Sequence, residues 1–454
     1  MAKHELAILN GTVVLPGGTV DGLNIGASDG AIATLSSGPI DADETIDATG
    51  LTVLPGLIDE HFHTFRGYGW ETYEGATRAA LKGGVTTVIE MPLDKPPTLT
   101  GEALINKRAE IADLCHVDYA LFGGYYHDDP SEMSAMADAG AGAFKLFTGG
   151  AAPPGMFPGV DDGELLDALR RVAELGSTVT VHSENAEMVE FETARLQAEG
   201  RTDMGAWDDA RPWFSEVAAA QTVALAAQVT GARTVIAHVS SPQTLEAIDA
   251  ARRGGSDVWA ETCHHYLCGS REASLSDNRL KWNPPTRDAA AVDWMWELLR
   301  EGKVHTVASD HAPLAKDPNA NVWEQRPGSG NGVEIMFPVF ATDALHGREV
   351  GIERVAEVMS TNPAKIFRLE GKGRIEIGGD ADFAIVETNG SRVLDASELH
   401  YHEQPNWSPF EGKELKVYPV YTVLRGKTMY AEGEIRGQAG DGRLLTPPSA
   451  ATRD

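Results

Sequence analysis

The sequence predicts an α/β protein, a (β/α)₈ TIM barrel with a small β-sandwich domain assembled from both ends of the chain. Apolar runs of strand length recur at 53–58, 86–92, 117–124, 143–148, 178–183, 233–239, 257–263 and 305–310. Between most of them lie stretches with helical periodicity, at 72–82, 101–114, 161–175, 216–229, 242–253 and 288–301. Outside this region the chain shows short runs cut by turn signals, such as Asn10-Gly11, Pro16-Gly17-Gly18 and Ser28-Asp29-Gly30.

Each element follows from those patterns. A parallel strand needs a long crossover before its neighbour, so regular alternation with helices builds a parallel sheet. Eight such units close a barrel of roughly 250 residues, and 55–365 holds it with room for insertions. The strands expected in 1–54 and 366–440, the latter from Gly373-Arg-Ile-Glu-Ile-Gly-Gly and Val420-Tyr-Thr-Val-Leu-Arg-Gly, pair into the composite β domain. Residues 441–454, rich in small residues and proline, read as a flexible tail or a loose surface strap.

The chain has 454 residues, 42% hydrophobic and 23% charged, enough for a sizeable core. Lys+Arg 38 against Asp+Glu 67 gives a formal net charge of -29. That field repels phosphate backbones and anionic headgroups, which argues against nucleic acid and membrane as partners. The three cysteines, Cys115, Cys263 and Cys268, make no pairing framework and are expected to be reduced. No uninterrupted run approaches ~18 apolar residues, so the expectation is a soluble cytoplasmic protein.

The chemistry concentrates at strand ends. The first strand runs into Asp59-Glu-His61-Phe-His63, and on extended chain residues i and i+2 point to one face, so both imidazoles can grip one metal. Lys145 in Phe-Lys-Leu-Phe, His182 in Val-His-Ser-Glu, His238 in Ala-His-Val-Ser-Ser and Asp310 in Ala-Ser-Asp-His-Ala-Pro occupy the same end of later strands. A lone histidine is more often a satisfied structural residue. Ligands ending five strands at the catalytic face of a barrel argue against coincidence.

These motifs resemble the cyclic amidohydrolase branch of the amidohydrolase superfamily, which includes allantoinases, dihydropyrimidinases or hydantoinases, and dihydroorotases. The segment 70–93, WETYEGATRAALKGGVTTVIEMPL, is most similar to allantoinases, as are Val181-His-Ser-Glu-Asn, His238-Val-Ser-Ser-Pro and Trp407-Ser-Pro-Phe-Glu-Gly-Lys. The resemblance implies a small cyclic amide substrate and two divalent metal ions, with zinc, iron, cobalt or manganese suited to the donors. It implies that His61, His63 and Asp310 hold one ion and His182 and His238 the other. Lys145, carboxylated by CO2, joins them. It further implies ring opening by water activated between the ions, with Asp310 as catalytic acid and base, and assembly into a homo-oligomer, a tetramer or dimer.

Departures bear on the substrate. Gly150 stands where hydantoinase-type relatives place an oxyanion-binding tyrosine. Arg66 is displaced by one position from the carboxylate-binding arginine of dihydroorotases, and Asp94 replaces an asparagine. Tyr68 and Trp70 offer stacking surfaces for a ring or simply for packing. In Cys263-His264-His265-Tyr266 the family histidine is His265, expected to support the site. Asn283, Asn331 and Gly332 lie in segments whose backbone groups hold the ring amide in relatives. The reading is an allantoinase-like hydrolase opening a ureide ring; the alternatives are a hydantoinase, dihydropyrimidinase or other imide hydrolase, or a dihydroorotase-like enzyme. A scaffold barrel without metals would have lost ligands, and all six positions are present.

Overall fold

The structure, a computed structural model, describes residues 3–149, 156–328, 330–400 and 407–447. Its centre is an eight-stranded sheet in which each strand neighbours the next in sequence. The strands are Leu57–Phe62, Val85–Glu90, Asp118–Gly124, Ala143–Phe147, Thr178–His182, Arg233–Ile236, Val258–Cys263 and Thr306–Ala308, and each pairs with the next in parallel. Both faces are covered, so residues are buried along nearly the whole length of each strand. The barrel closes where Phe62 bridges His311 and the His63 N–H donates to the His311 carbonyl at 3.0 Å. Asp59 reinforces the seam by accepting from the Ser309 N–H at 3.0 Å and from its hydroxyl.

The helices form for local reasons that the sequence carries. In Asp162–Leu175, Asp161 and Glu164 make a reciprocal capping box, Gly176 ends the helix at φ 63°, and Leu165, Ala168, Leu169 and Val172 turn inward at helical spacing. Helices also lie where none was expected, among them Glu132–Asp138, Ala186–Ala198 and Met204–Ala210, the last two between the fifth and sixth strands, and Met336–Gly347. Among the described residues, no helix is long and apolar enough to cross a membrane.

The terminal segments join into one nine-stranded mixed sheet that combines five strands from residues 4–55 with four from 383–435. Leu6, Ile8, Val13, Ile25, Val53, Phe383, Ile385 and Val423 form its core. The run expected as one strand at 53–58 divides here. Thr52–Pro55 pairs with Phe383–Val386 in the terminal sheet, and the barrel strand starts at Leu57. The physical reason is Gly56: a Cβ there would lie 2.2 Å from Thr86 Oγ1 and 2.9 Å from Asp382 Cβ, so only glycine lets the chain cross between the sheets. Further on, the Tyr119 N–H donates to Arg443 O at 2.9 Å and the Leu445 N–H to Tyr119 O at 2.7 Å, fastening the tail against the third barrel strand.

One buried cation ties the two sheets. Lys372 Nζ lies 2.6 Å from Asp118 of the barrel, 2.7 Å from Asp380 and 2.6 Å from Asp382. Burial disfavours its charge, but the three carboxylates outweigh that and hold the ammonium above its ordinary pKa. Removing one partner of such a cluster leaves uncompensated buried charge. Lys372→Met is therefore expected to cost about 3–5 kcal/mol, seen as a lower thermal unfolding midpoint; an unchanged midpoint would show that the ammonium does not hold the sheets together.

Candidate functional site

The six expected ligands converge at one end of the barrel. His61 and His63 come from the end of the first strand, and each places Nε2 3.4 Å from Asp310 Oδ1. Donor atoms of these three residues lie within 4.8 Å of one another. Opposite them, His182 Nδ1 is 2.9 Å from His238 Nε2, and the His61 and His238 ring centroids are 5.2 Å apart. Lys145 is fully buried, and its Nζ has no hydrogen-bond partner. His238 and Asp310 both sit in the left-handed region, at φ 37° and 48°. Side-chain-bearing residues adopt it at a cost of about 1–3 kcal/mol each, a strain that the surrounding fold must hold.

Burial dominates the electrostatics. It pushes the pKa values of His61, His63, His182 and His238 down, so their ring nitrogens are neutral and carry lone pairs at neutral pH. Burial also pulls Lys145 down to about 8, against the attraction of Glu261 and Asp310. At Asp310 burial acts to raise the pKa, yet His61 and His63 overcome it and keep the carboxyl below its ordinary range. Neutral imidazoles, an anionic carboxylate and a buried amine without a partner are a donor set that fits divalent metal ions.

Two buried carboxylates fix which nitrogen faces the centre. Glu261 Oε1 lies 2.6 Å from His61 Nδ1, leaving Nε2 for the centre, and accepts the His238 N–H at 3.0 Å. Glu184 Oε2 lies 2.9 Å from His182 Nε2 and accepts from Arg211 at 2.7 Å. Burial would raise Glu184, but Arg211 and His182 hold it down at about 2. Neither glutamate was singled out in the sequence. Glu184 was visible two residues after His182, and Glu261 two residues before Cys263, on an inward strand position that otherwise reads as core.

The cleft over these groups is lined by Phe65, Leu93, Phe147, Met156, Leu314 and Asn283. Asn283 is thus the expected substrate contact that the structure brings to the site, and its buried Oδ1 has no partner. Gly150 lies outside the described residues. Arg66 and Asp94 are engaged elsewhere, because Arg66 reaches Glu110 at 2.8 Å and Asp94 binds Lys107 at 2.8 Å; neither lines the cleft. Gly332 packs against the Ser309–His311 turn, its N–H 3.2 Å from His311 Nδ1, and neighbouring Asn331 is buried. His265 is buried with its ring centroid 4.6 Å from that of Trp282, the residue before Asn283. It therefore packs behind the Asn283 segment and does not line the cleft.

A barrel with histidines, a carboxylate and a buried lysine gathered at the strand ends is the architecture of a metal-assisted hydrolase. The amidohydrolase family profile matches residues 52–429. The chain belongs to that family, and it is a hydrolase of C–N bonds. It is 37% identical to an allantoinase of Rubrobacter xylanophilus, covering 98% of each chain. It is 34% identical to an L-hydantoinase of Paenarthrobacter aurescens, covering 92% of this chain and 93% of that one. Among solved structures, an L-hydantoinase (dihydropyrimidinase) from Arthrobacter aurescens superposes with TM-score 0.92 at 32% identity, covering 98% of this chain and 100% of that one.

If Glu261 orients His61, Glu261→Gln should weaken zinc binding about 10–100-fold in a chelator competition, with the fold retained by circular dichroism. Unchanged affinity would remove Glu261 from this role.

Proposed function

We propose that the chain opens a cyclic ureide ring by hydrolysis, with allantoin or a close relative as substrate and a ureido acid as product. The observation that carries the reading is Lys145: its buried Nζ, without a partner, stands among four neutral histidines and Asp310. A carbamate formed there with CO2 would turn a misplaced amine into a bridging anion. His61, His63 and Asp310 would hold one divalent ion and His182 and His238 the other, with carboxylated Lys145 between them. Zinc is the first candidate, before iron, cobalt or manganese. Bound there, the ions supply Lewis acidity that activates water and polarises the ring carbonyl.

The chain's own groups do the rest. Asp310, kept anionic, accepts the proton of the attacking water and returns it to the ring nitrogen as the C–N bond breaks. Asn283 offers an amide that can pair with the donor and acceptor edge of the ring. Phe65, Leu93, Phe147 and Leu314 exclude bulk water around the reacting carbonyl. The same apolar walls favour a second reading, a hydantoin carrying an apolar substituent. Three unpaired cysteines support a reducing, cytoplasmic setting. Phe191, Leu225 and Val229, 69%, 62% and 68% exposed on outer helices, support a homo-oligomer.

Asp310→Asn is expected to keep the fold and lose about 10²–10⁴-fold in kcat; near-normal turnover would remove Asp310 from proton transfer. A panel of allantoin, hydantoin, 5-benzylhydantoin, dihydrouracil and dihydroorotate tests the substrate. Chelation should abolish activity, and zinc with bicarbonate should restore it. Turnover of another ring but not of allantoin would reject the primary reading.

A further inference from the structure

The cleft carries one feature for which the ring chemistry has no use. Arg326 lines it beside Pro327 and Gly328. Its guanidinium carbon sits 4.5 Å over the ring of Trp70. Trp70 in turn meets Phe65 edge-on at 5.2 Å and stacks on Tyr68 at 4.4 Å. Phe65 stacks on the ligand His63 at 4.9 Å. An unbroken ladder of rings thus runs from the catalytic centre to the guanidinium and sets its distance from the reacting carbonyl.

Two properties separate Arg326 from a structural arginine. Among the described residues, its stacking on Trp70 is not accompanied by any hydrogen bond or ion pair, so the donors of this exposed, cleft-lining side chain are unused. By contrast, Arg66 and Arg211 are each committed to carboxylates. In addition, the cleft lining that Arg326 shares includes the apolar side chains of Leu93, Met156, Leu314 and Pro327, while Arg326 itself is exposed and open to an incoming group. Arginine suits planar acceptors, which it grips with two parallel N–H donors.

We propose that Arg326 is a specificity residue that reads the exocyclic arm of the substrate and selects arms carrying a planar acceptor, a ureido or carboxylate group, over alkyl or aryl arms. The inference rests on the ring-opening reading above and sharpens it. Allantoin is a hydantoin ring with a ureido arm, so Arg326 would hold that arm while the ring carbonyl lies at the metal end. The same guanidinium leaves a bare hydantoin without a second point of attachment.

The test compares matched rings that differ only in the arm: hydantoin, 5-methylhydantoin, allantoin and hydantoin-5-acetic acid, with the zinc- and bicarbonate-loaded enzyme and Arg326→Met. The wild type is expected to favour the two acceptor arms over the methyl arm in kcat/KM. The variant should reduce that ratio about 10–100-fold, the range of a hydrogen bond to a charged group. Arg326→Lys should recover only part of it. Equal losses on all four rings, or an unchanged ratio, would overturn the proposal. Calorimetric binding of hydantoin-5-acetic acid against 5-methylhydantoin reads the same preference without turnover. A wild type that binds the acid more tightly while failing to open allantoin would reject the substrate and keep the role of Arg326. Equal binding of the two by the wild type would reject the role itself.

Discussion

Everything at the catalytic end depends on taking ionisable groups out of water. Six of them meet in a space from which solvent is nearly absent, and the desolvation cost decides the state of each. It strips protons from the histidines and weakens the hold of Lys145 on its own. Asp310 stays anionic despite its burial, with the imidazoles of His61 and His63 each 3.4 Å away. Burial of charge is tolerable when paired and costly when not. His238 and Asp310 add a separate backbone cost, since both hold positive φ angles.

The outer carboxylates show how the fold carries this load. Glu261 lies on the seventh strand yet touches residues at the ends of the first and sixth, so one side chain couples three strands around the mouth. Glu184, just past the fifth strand, joins His182 to Arg211 at the end of helix Met204–Ala210 through a charge pair that is itself buried. At the far end, Lys372 gathers three aspartates from the barrel and the terminal sheet. Stability and chemistry thus occupy opposite ends of one barrel, and loops at the mouth can differ between relatives without disturbing the base.

Much of this was legible in the sequence, for physical reasons. The eight strands declared themselves because a strand buried on both faces reads as an apolar run, and the ligands because each interrupts the end of such a run with a residue that apolar packing would not choose. Other features left no local mark. Gly56 looks like any turn glycine until Thr86 and Asp382 are seen to press on it. Arg66 and Asp94 looked like substrate contacts beside the ligand motif, whereas Glu110 and Lys107, both on helix Gly101–Ile111, hold them. Arg326 lies in a loop without periodicity, and its place depends on Trp70, brought near only by closure of the barrel.

The strand at Thr52–Pro55 has a consequence for how the chain is made. Its partner on one side, Phe383–Val386, is synthesised some ~330 residues later, roughly a quarter of a minute to a minute at ribosomal speeds. Until then one side of that strand presents bare N–H and carbonyl groups, the template on which foreign strands pair. The barrel strand that begins at Leu57 is joined to it through a single glycine, so the nascent barrel grows from a half-built sheet. The terminal sheet is therefore completed only after the whole barrel has been made, and the exposed edge of Thr52–Pro55 is the last part of its strand to be covered.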